Sequence, residues 1–94
     1  MSAEEVGHQL GDKRRLRARA RRIEGQAAGV VRMIEQERPC AEVLQQIAAL
    51  TAAANKLAVL LIEDHMLERA SSGEVGPEQL TSEVGDLLRR LMRG

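Results

Sequence analysis

The sequence predicts an all-α protein of three helices, and three observations carry that reading. Leu16, Ala20, Ile23, Ala27, Val30 and Ile34 recur at a 4-3-4-3-4 spacing, which places them on one stripe of a helix. Val43, Ile47, Leu50, Ala54, Leu57 and Leu61 repeat that spacing, and Leu80, Val84, Leu87 and Leu91 give a shorter third copy. Nowhere do apolar and polar residues alternate with the period of two that a strand requires.

The breaks follow from turn chemistry. Residues 1–11 read as a flexible arm, and the first helix runs over about 12–36. Pro39 fits only the first turn of a helix and forces a break after Arg38, so the second helix begins at about 39. Ser71-Ser72-Gly73 stops it near 70, and Gly76-Pro77 starts the third helix, which ends at about 92. Gly25 and Gly29 lie inside the first helix and weaken it by about 1 kcal/mol each relative to Ala. Four residues apart, they share one side of that helix and mark close contact with a neighbour.

The 94 residues form one small domain, near the lower limit for an unaided core. Phe, Tyr and Trp are all absent, so the core must be built from Leu, Ile, Val, Ala and Met without large rigid anchors. Met33, Met66 and Met92 lie at or beside apolar positions and read as packing residues. Such a chain gains most by sharing its core, and the pattern predicts a four-helix bundle built from two protomers. A lone cysteine excludes an intrachain disulfide framework and fits a reducing cytosol. No apolar run approaches a membrane span, and no signal-peptide core opens the chain, so the expectation is a cytoplasmic protein with no membrane partner. Neither a Gly-rich phosphate loop nor a Ser/His/Asp arrangement is present, and no enzyme activity is expected.

Zero formal net charge conceals a strong asymmetry. Residues 13–22 hold seven cations and no acid, whereas residues 39–94 carry five cations and eight acids. At about 100° per residue, Arg14, Arg17 and Arg21 form one ridge of the first helix, and Arg15, Arg19 and Arg22 a second. Guanidinium suits phosphate because its planar fork donates in pairs and stays charged. A solvated bundle face would mix signs, and modules for single strands or RNA stack bases on aromatics that this chain lacks. Duplex DNA contacted through its phosphates is the partner expected. The competing class is a helical scaffold whose Arg helix binds an acidic protein.

Cys40 and His65 delimit the second helix. Their 25 steps span roughly 37 Å at about 1.5 Å per residue, so they cannot share a ligand within one chain. They would meet if a second copy packed antiparallel, centred between Ala52 and Ala53, where small side chains let backbones approach. Cys40 would then sit in a first turn, where free N–H groups stabilise negative charge. The plain alternatives are a core cysteine and a histidine that favours a helix C-terminus.

Taken together, Asp12-Lys13, Leu16, Arg19 and Ile23-Glu24-Gly25-Gln26 resemble the opening of the CsoR/RcnR/FrmR family of bacterial repressors. Cys40, Leu44-Gln45-Gln46-Ile47-Ala48-Ala49 and Glu63-Asp64-His65 are similar to it as well, and the likeness covers about residues 8–92. The resemblance implies an antiparallel dimer, two of which assemble into a tetramer that binds operator DNA and leaves it when an effector occupies the cysteine site. It implies that Arg17, Arg19 and Arg22 contact DNA, with Lys56 joining the same surface. It places Cys40 and the partner copy's histidine, His65, in the effector site, with His8 as an N-terminal ligand of the kind found in nickel and cobalt sensors.

One position departs from the family pattern. One turn after His65, where metal sensors carry Cys or His, this chain has Arg69, which has no lone pair for a metal. Arg69 would tune the site instead, or pair with Glu68 or with Glu42 across the dimer. Three effector readings therefore stand: a transition metal, Cu(I), Ni(II), Co(II) or Zn(II), held by Cys40 and His65 with or without His8; formaldehyde reacting with Cys40 and no metal at all; or a degenerate site in a repressor that answers to something else.

Overall fold

The computed structural model describes the backbone of residues 3–94 and the side chains of residues 12–94. Three helices follow in order: α1 (Ala3–Glu35), α2 (Cys40–Ser72) and α3 (Pro77–Arg93). No strand occurs among the described residues. The all-α class predicted from spacing is the class found. α1 begins at Ala3, ahead of the expected start near residue 12; the side chains of the expected arm, His8 included, lie outside the described residues.

Backbone chemistry explains each helix end. Glu37 takes the left-handed conformation (φ 55°). Its N–H donates to the Ile34 carbonyl (3.0 Å) and that of Arg38 to Met33 (3.0 Å), which closes α1 with the two bonds of a Schellman motif. Pro39 then stands just outside α2 rather than inside its first turn. Its carbonyl accepts from the N–H groups of Glu42 (3.0 Å) and Val43 (3.2 Å), which makes Cys40 the first helical residue. At the other end, the Ser71 and Ser72 hydroxyls donate to the carbonyls of Glu68 and Arg69, and Gly73 turns the chain at φ 72°. Gly76 precedes α3 in extended backbone, and Pro77 occupies its first turn.

The chain divides into two units, Met1–Leu57 and Ala58–Gly94, with the boundary inside α2. In the first, Asp12, Leu16, Arg19, Ile23, Gln26, Val30 and Met33 of α1 are half-buried in a 4-3-4-3-4-3 series, with Ala27 and Gly29 half-buried beside it. This stripe is rotated from the one predicted: Ala20 and Ile34 are exposed, and Arg19 lies within the packed face rather than on the outer basic ridge. On α2 the predicted stripe splits. Val43, Leu50 and Leu57 are half-buried, whereas Ile47, Ala54 and Leu61 are exposed. In the second unit Leu80, Val84 and Leu87 of α3 are half-buried and Leu91 is exposed.

No described side chain is fully buried, and large apolar residues remain open, among them Val31 (54% exposed), Ile34 (61%), Leu44 (58%) and Leu61 (50%). By length and composition α2 is apolar enough to cross a membrane. Lys56 stands at its midpoint, however, where a bilayer would impose roughly 2.5–3.5 kcal/mol, so the apolar content reads as that of a packing helix.

Glu37→Gly is expected to raise stability by about 0.5–1 kcal/mol, because it relieves the Cβ clash of the left-handed position. Gly73→Ala should lower it by a similar amount. Thermal denaturation followed by circular dichroism checks both, with shifts of a few degrees in opposite directions.

Candidate functional site: the ends of α2 and the basic face of α1

Cys40 is exposed at the start of α2, beside an ion pair that braces the same turn. Arg38 donates to Glu42 Oε2 from Nε (2.9 Å), and its Nη2 lies 2.8 Å from the same oxygen. This places an exposed sulfur at the helix end where N–H groups have no intrahelical acceptor.

His65 lies two turns before the end of α2 and faces α3. Its Nε2 is 3.4 Å from Glu83 Oε2. Arg69, one turn later, grips the same carboxylate with two hydrogen bonds, from Nε to Oε2 (3.1 Å) and from Nη2 to Oε1 (2.8 Å). All three side chains are half-buried. Arg69 therefore pairs with neither Glu68 nor Glu42 within the chain, but with an acid on the next helix. The hydrogen bonds from Arg69, more than its charge, hold the Glu83 carboxyl below its ordinary value; His65 adds a smaller effect of the same sign. Glu83 raises the Arg69 pKa in return.

Within one chain the donor chemistry fits a metal only in part. Among the described residues no three His, Cys, Asp or Glu side chains gather around a common point. The second unit supplies the His65 imidazole next to the Glu83 carboxylate, and the first supplies the Cys40 sulfur. Arg69 contributes a cation and no lone pair. A complete set requires sulfur from elsewhere than the same end of the same helix.

The basic face of α1 is open. Arg14, Arg15, Arg17, Arg21 and Arg22 are all exposed, as is Lys56 of α2, while Arg19 is half-buried. Two of these cations have acid neighbours, Arg15 with Asp12 at 3.5 Å and Arg21 with Glu24 at 3.7 Å. The exposed Arg21–Glu24 pair is worth little and exchanges readily for phosphate, whereas Asp12 in the Arg15 pair is half-buried.

Glu83 is the residue that spacing alone did not single out. Its only signal is an acid standing beside Val84 in the apolar repeat of α3, and its fourteen-residue separation from Arg69 hides the contact.

The sequence profile of the metal-sensitive transcriptional repressor family matches residues 12–93. The transcriptional repressor RcnR of Escherichia coli is 41% identical over 63 residues, covering 67% of this chain and 70% of that protein. An uncharacterized protein encoded in the bioA 5′ region of Serratia marcescens is 36% identical over 83 residues, covering 88% and 91%. Among solved structures, the nickel-responsive transcriptional regulator InrS superposes with a TM-score of 0.72 at 39% identity, over 82% of this chain and 89% of that one. A variant of the formaldehyde-responsive regulator FrmR of Salmonella enterica serovar Typhimurium superposes with a TM-score of 0.72 at 41% identity, over 85% and 93%.

The Glu83 contacts predict a pH signature. A carboxyl whose folded pKa is depressed stabilises the fold above its unfolded value, near 4.5, and that stability is lost as pH falls through the folded value. Glu83→Gln should therefore be less stable than the parent at pH 7 and approach it as pH drops below about 4. Melting temperatures measured from pH 7 to pH 3 test this; parallel curves would count against the pair.

Proposed function

Since this chain belongs to the metal-sensitive transcriptional repressor family, we propose that it is a cytoplasmic, effector-responsive repressor that binds operator duplex DNA through the basic face of α1. The observation that carries the reading is the row of exposed arginines on α1, unmatched by acids over residues 13–22. Arg14, Arg15, Arg17, Arg21, Arg22 and Lys56 contact phosphates. Arg19, held in the packed face, orients the helix or reaches DNA from its flank.

The uncovered apolar residues of α1 and α2 support self-association, and an antiparallel dimer that pairs into a tetramer covers them. In that dimer Cys40 of one copy meets His65 of the other, with Glu83 behind the imidazole and His8 from the N-terminal segment as a further donor. Two effector chemistries suit these groups. A metal ion, Cu(I), Ni(II), Co(II) or Zn(II), would be held by Cys40 and His65, and would draw together groups from two copies. Nickel response in InrS supports this branch.

The second reading is an electrophile sensor, and Arg69 favours it. The guanidinium is fixed on Glu83, one turn from His65, and offers a metal nothing. In this branch the Cys40 sulfur attacks the carbonyl carbon of formaldehyde, the C=O π pair takes up the thiol proton, and a hydroxymethyl thioether forms. Condensation with an amine expels water and leaves a methylene bridge. The formaldehyde response of FrmR supports it.

Operator affinity should fall steeply with salt, and Arg14→Ala with Arg17→Ala should reduce the slope by about two while leaving oligomer size unchanged. A complex insensitive to salt would instead favour a protein-binding scaffold. Cys40→Ala should keep operator binding and lose release by effector. Titrating the purified protein with Cu(I), Ni(II), Co(II), Zn(II) and formaldehyde, with anisotropy for DNA and intact mass for Cys40, separates the branches: a covalent mass gain on Cys40 marks the electrophile.

A further inference from the structure

A groove runs along α1 beyond the N-terminal cluster of arginines. Arg22, Gly25, Gln26, Gly29, Arg32 and Met33 line it from α1, with Gln36 just beyond that helix, and Gln46 faces them from α2. Their spacing of three and four residues places the α1 members on one face. No carboxylate lines the groove. Arg22 and Arg32 are exposed, and neither has an ion-pair partner among the described residues.

The groove floor is made by glycines that the chain itself does not require. A Cβ at Gly25 would meet nothing within 4 Å, and one at Gly29 would meet only the mobile Arg32 guanidinium at 3.7 Å. The close neighbour expected from these glycines is therefore absent within the chain, although each glycine weakens the helix. The shielded Oε1 of Gln26 also has no hydrogen-bond partner. A primary amide offers an acceptor or, after rotation, two donors, so Gln26 and Gln46 suit either a base edge or a phosphate oxygen.

Geometry selects the ligand. Arg22 and Arg32 are ten residues apart, about 15 Å along the helix, too far for one small anion to engage both. A nucleic-acid backbone supplies a charge every 3.4 Å or so of axis per strand and matches two separated cations. Arg14 and Arg32 lie five helical turns apart, at the same angular position, so the groove continues the basic face already described.

We propose that this groove is a second DNA-backbone subsite, in which Arg32 binds a phosphate beyond the N-terminal cluster and the two glycines let the backbone approach α1. The proposal rests on the operator-binding reading above. Gln26 and Gln46 complete the subsite with polar contacts.

The test uses the full chain and an operator duplex, with anisotropy over a range of salt. Arg32→Ala is expected to weaken binding about eightfold at 0.1 M salt and to reduce the salt slope by roughly 0.9, the value for one phosphate. Gly25→Ala is expected to raise the melting temperature, since the helix gains and nothing clashes, and yet to lower affinity by obstructing the floor. Light scattering on each variant should give the parent's oligomer size. Unchanged affinity and slope for Arg32→Ala, while Arg17→Ala loses binding, would overturn the subsite and leave the repressor reading intact. A parent that binds no duplex would overturn both. An Arg32→Ala variant that changes oligomer size at unchanged affinity would assign the groove to contact between copies and overturn the subsite.

Discussion

Large apolar residues stand open along α1 and α2 and no described side chain is fully buried, and this shortfall of cover governs everything else in the chain. α2 half-buries Val43, Leu50 and Leu57 but leaves Leu44 and, on the same stripe, Ile47 and Leu61 open. Burying one such side chain is worth about 1.5–3 kcal/mol, while an entire domain is stable by roughly 5–15. Four or five uncovered residues therefore weigh as much as the whole fold. Without aromatic rings no single side chain compensates, and the proposed association would supply what the single chain lacks. The proposed antiparallel association would also account for a sulfur and an imidazole near opposite ends of one helix, since it would bring each to the other.

Helix breaks were legible in the sequence because they rest on residues with fixed backbone preferences. Pro39, Gly73 and the Gly76-Pro77 pair each exclude most alternatives locally, and no distant contact is needed to place them. Glu37 was not legible, because nothing in its side chain announces a left-handed conformation; the Schellman bonds and the following proline impose it. Arg19 shows the limit of reading charge by wheel position. Counted as one more cation, it belonged to a basic ridge, yet Leu16 and Ile23 on either side place it in the packed stripe. A long stem lying along apolar surface satisfies both descriptions.

The proposed effector site was half legible. Cys40 and His65 stood out by chemistry and separation, whereas Glu83 emerges only once α3 folds back against the end of α2. Its effect on Arg69 is considerable. Alone, a guanidinium beside the histidine would repel a metal cation; bound side-on by a carboxylate, its charge is locally compensated. The histidine then faces an ion pair of no net charge rather than a bare cation. Arg69 is thus compatible with an effector site even though it supplies no donor.

Net neutrality also ceases to conflict with a polyanionic partner once the pairs are considered. Glu83 is held by Arg69, Glu42 by Arg38 and Asp86 by Arg89. Three of the acids that enter the overall sum are thus answered by cations outside residues 13–22. Screening adds to this: at physiological salt the Debye length is about 8 Å, so a phosphate at α1 responds to the guanidinium groups nearest it and hardly to the formal total. Seven cations in ten residues occupy about 15 Å of helix, a density that a phosphate backbone can match charge for charge. A chain with zero formal charge can in this way present a strongly cationic surface, because seven of its cations stand together on ten residues of one helix with no acid among them.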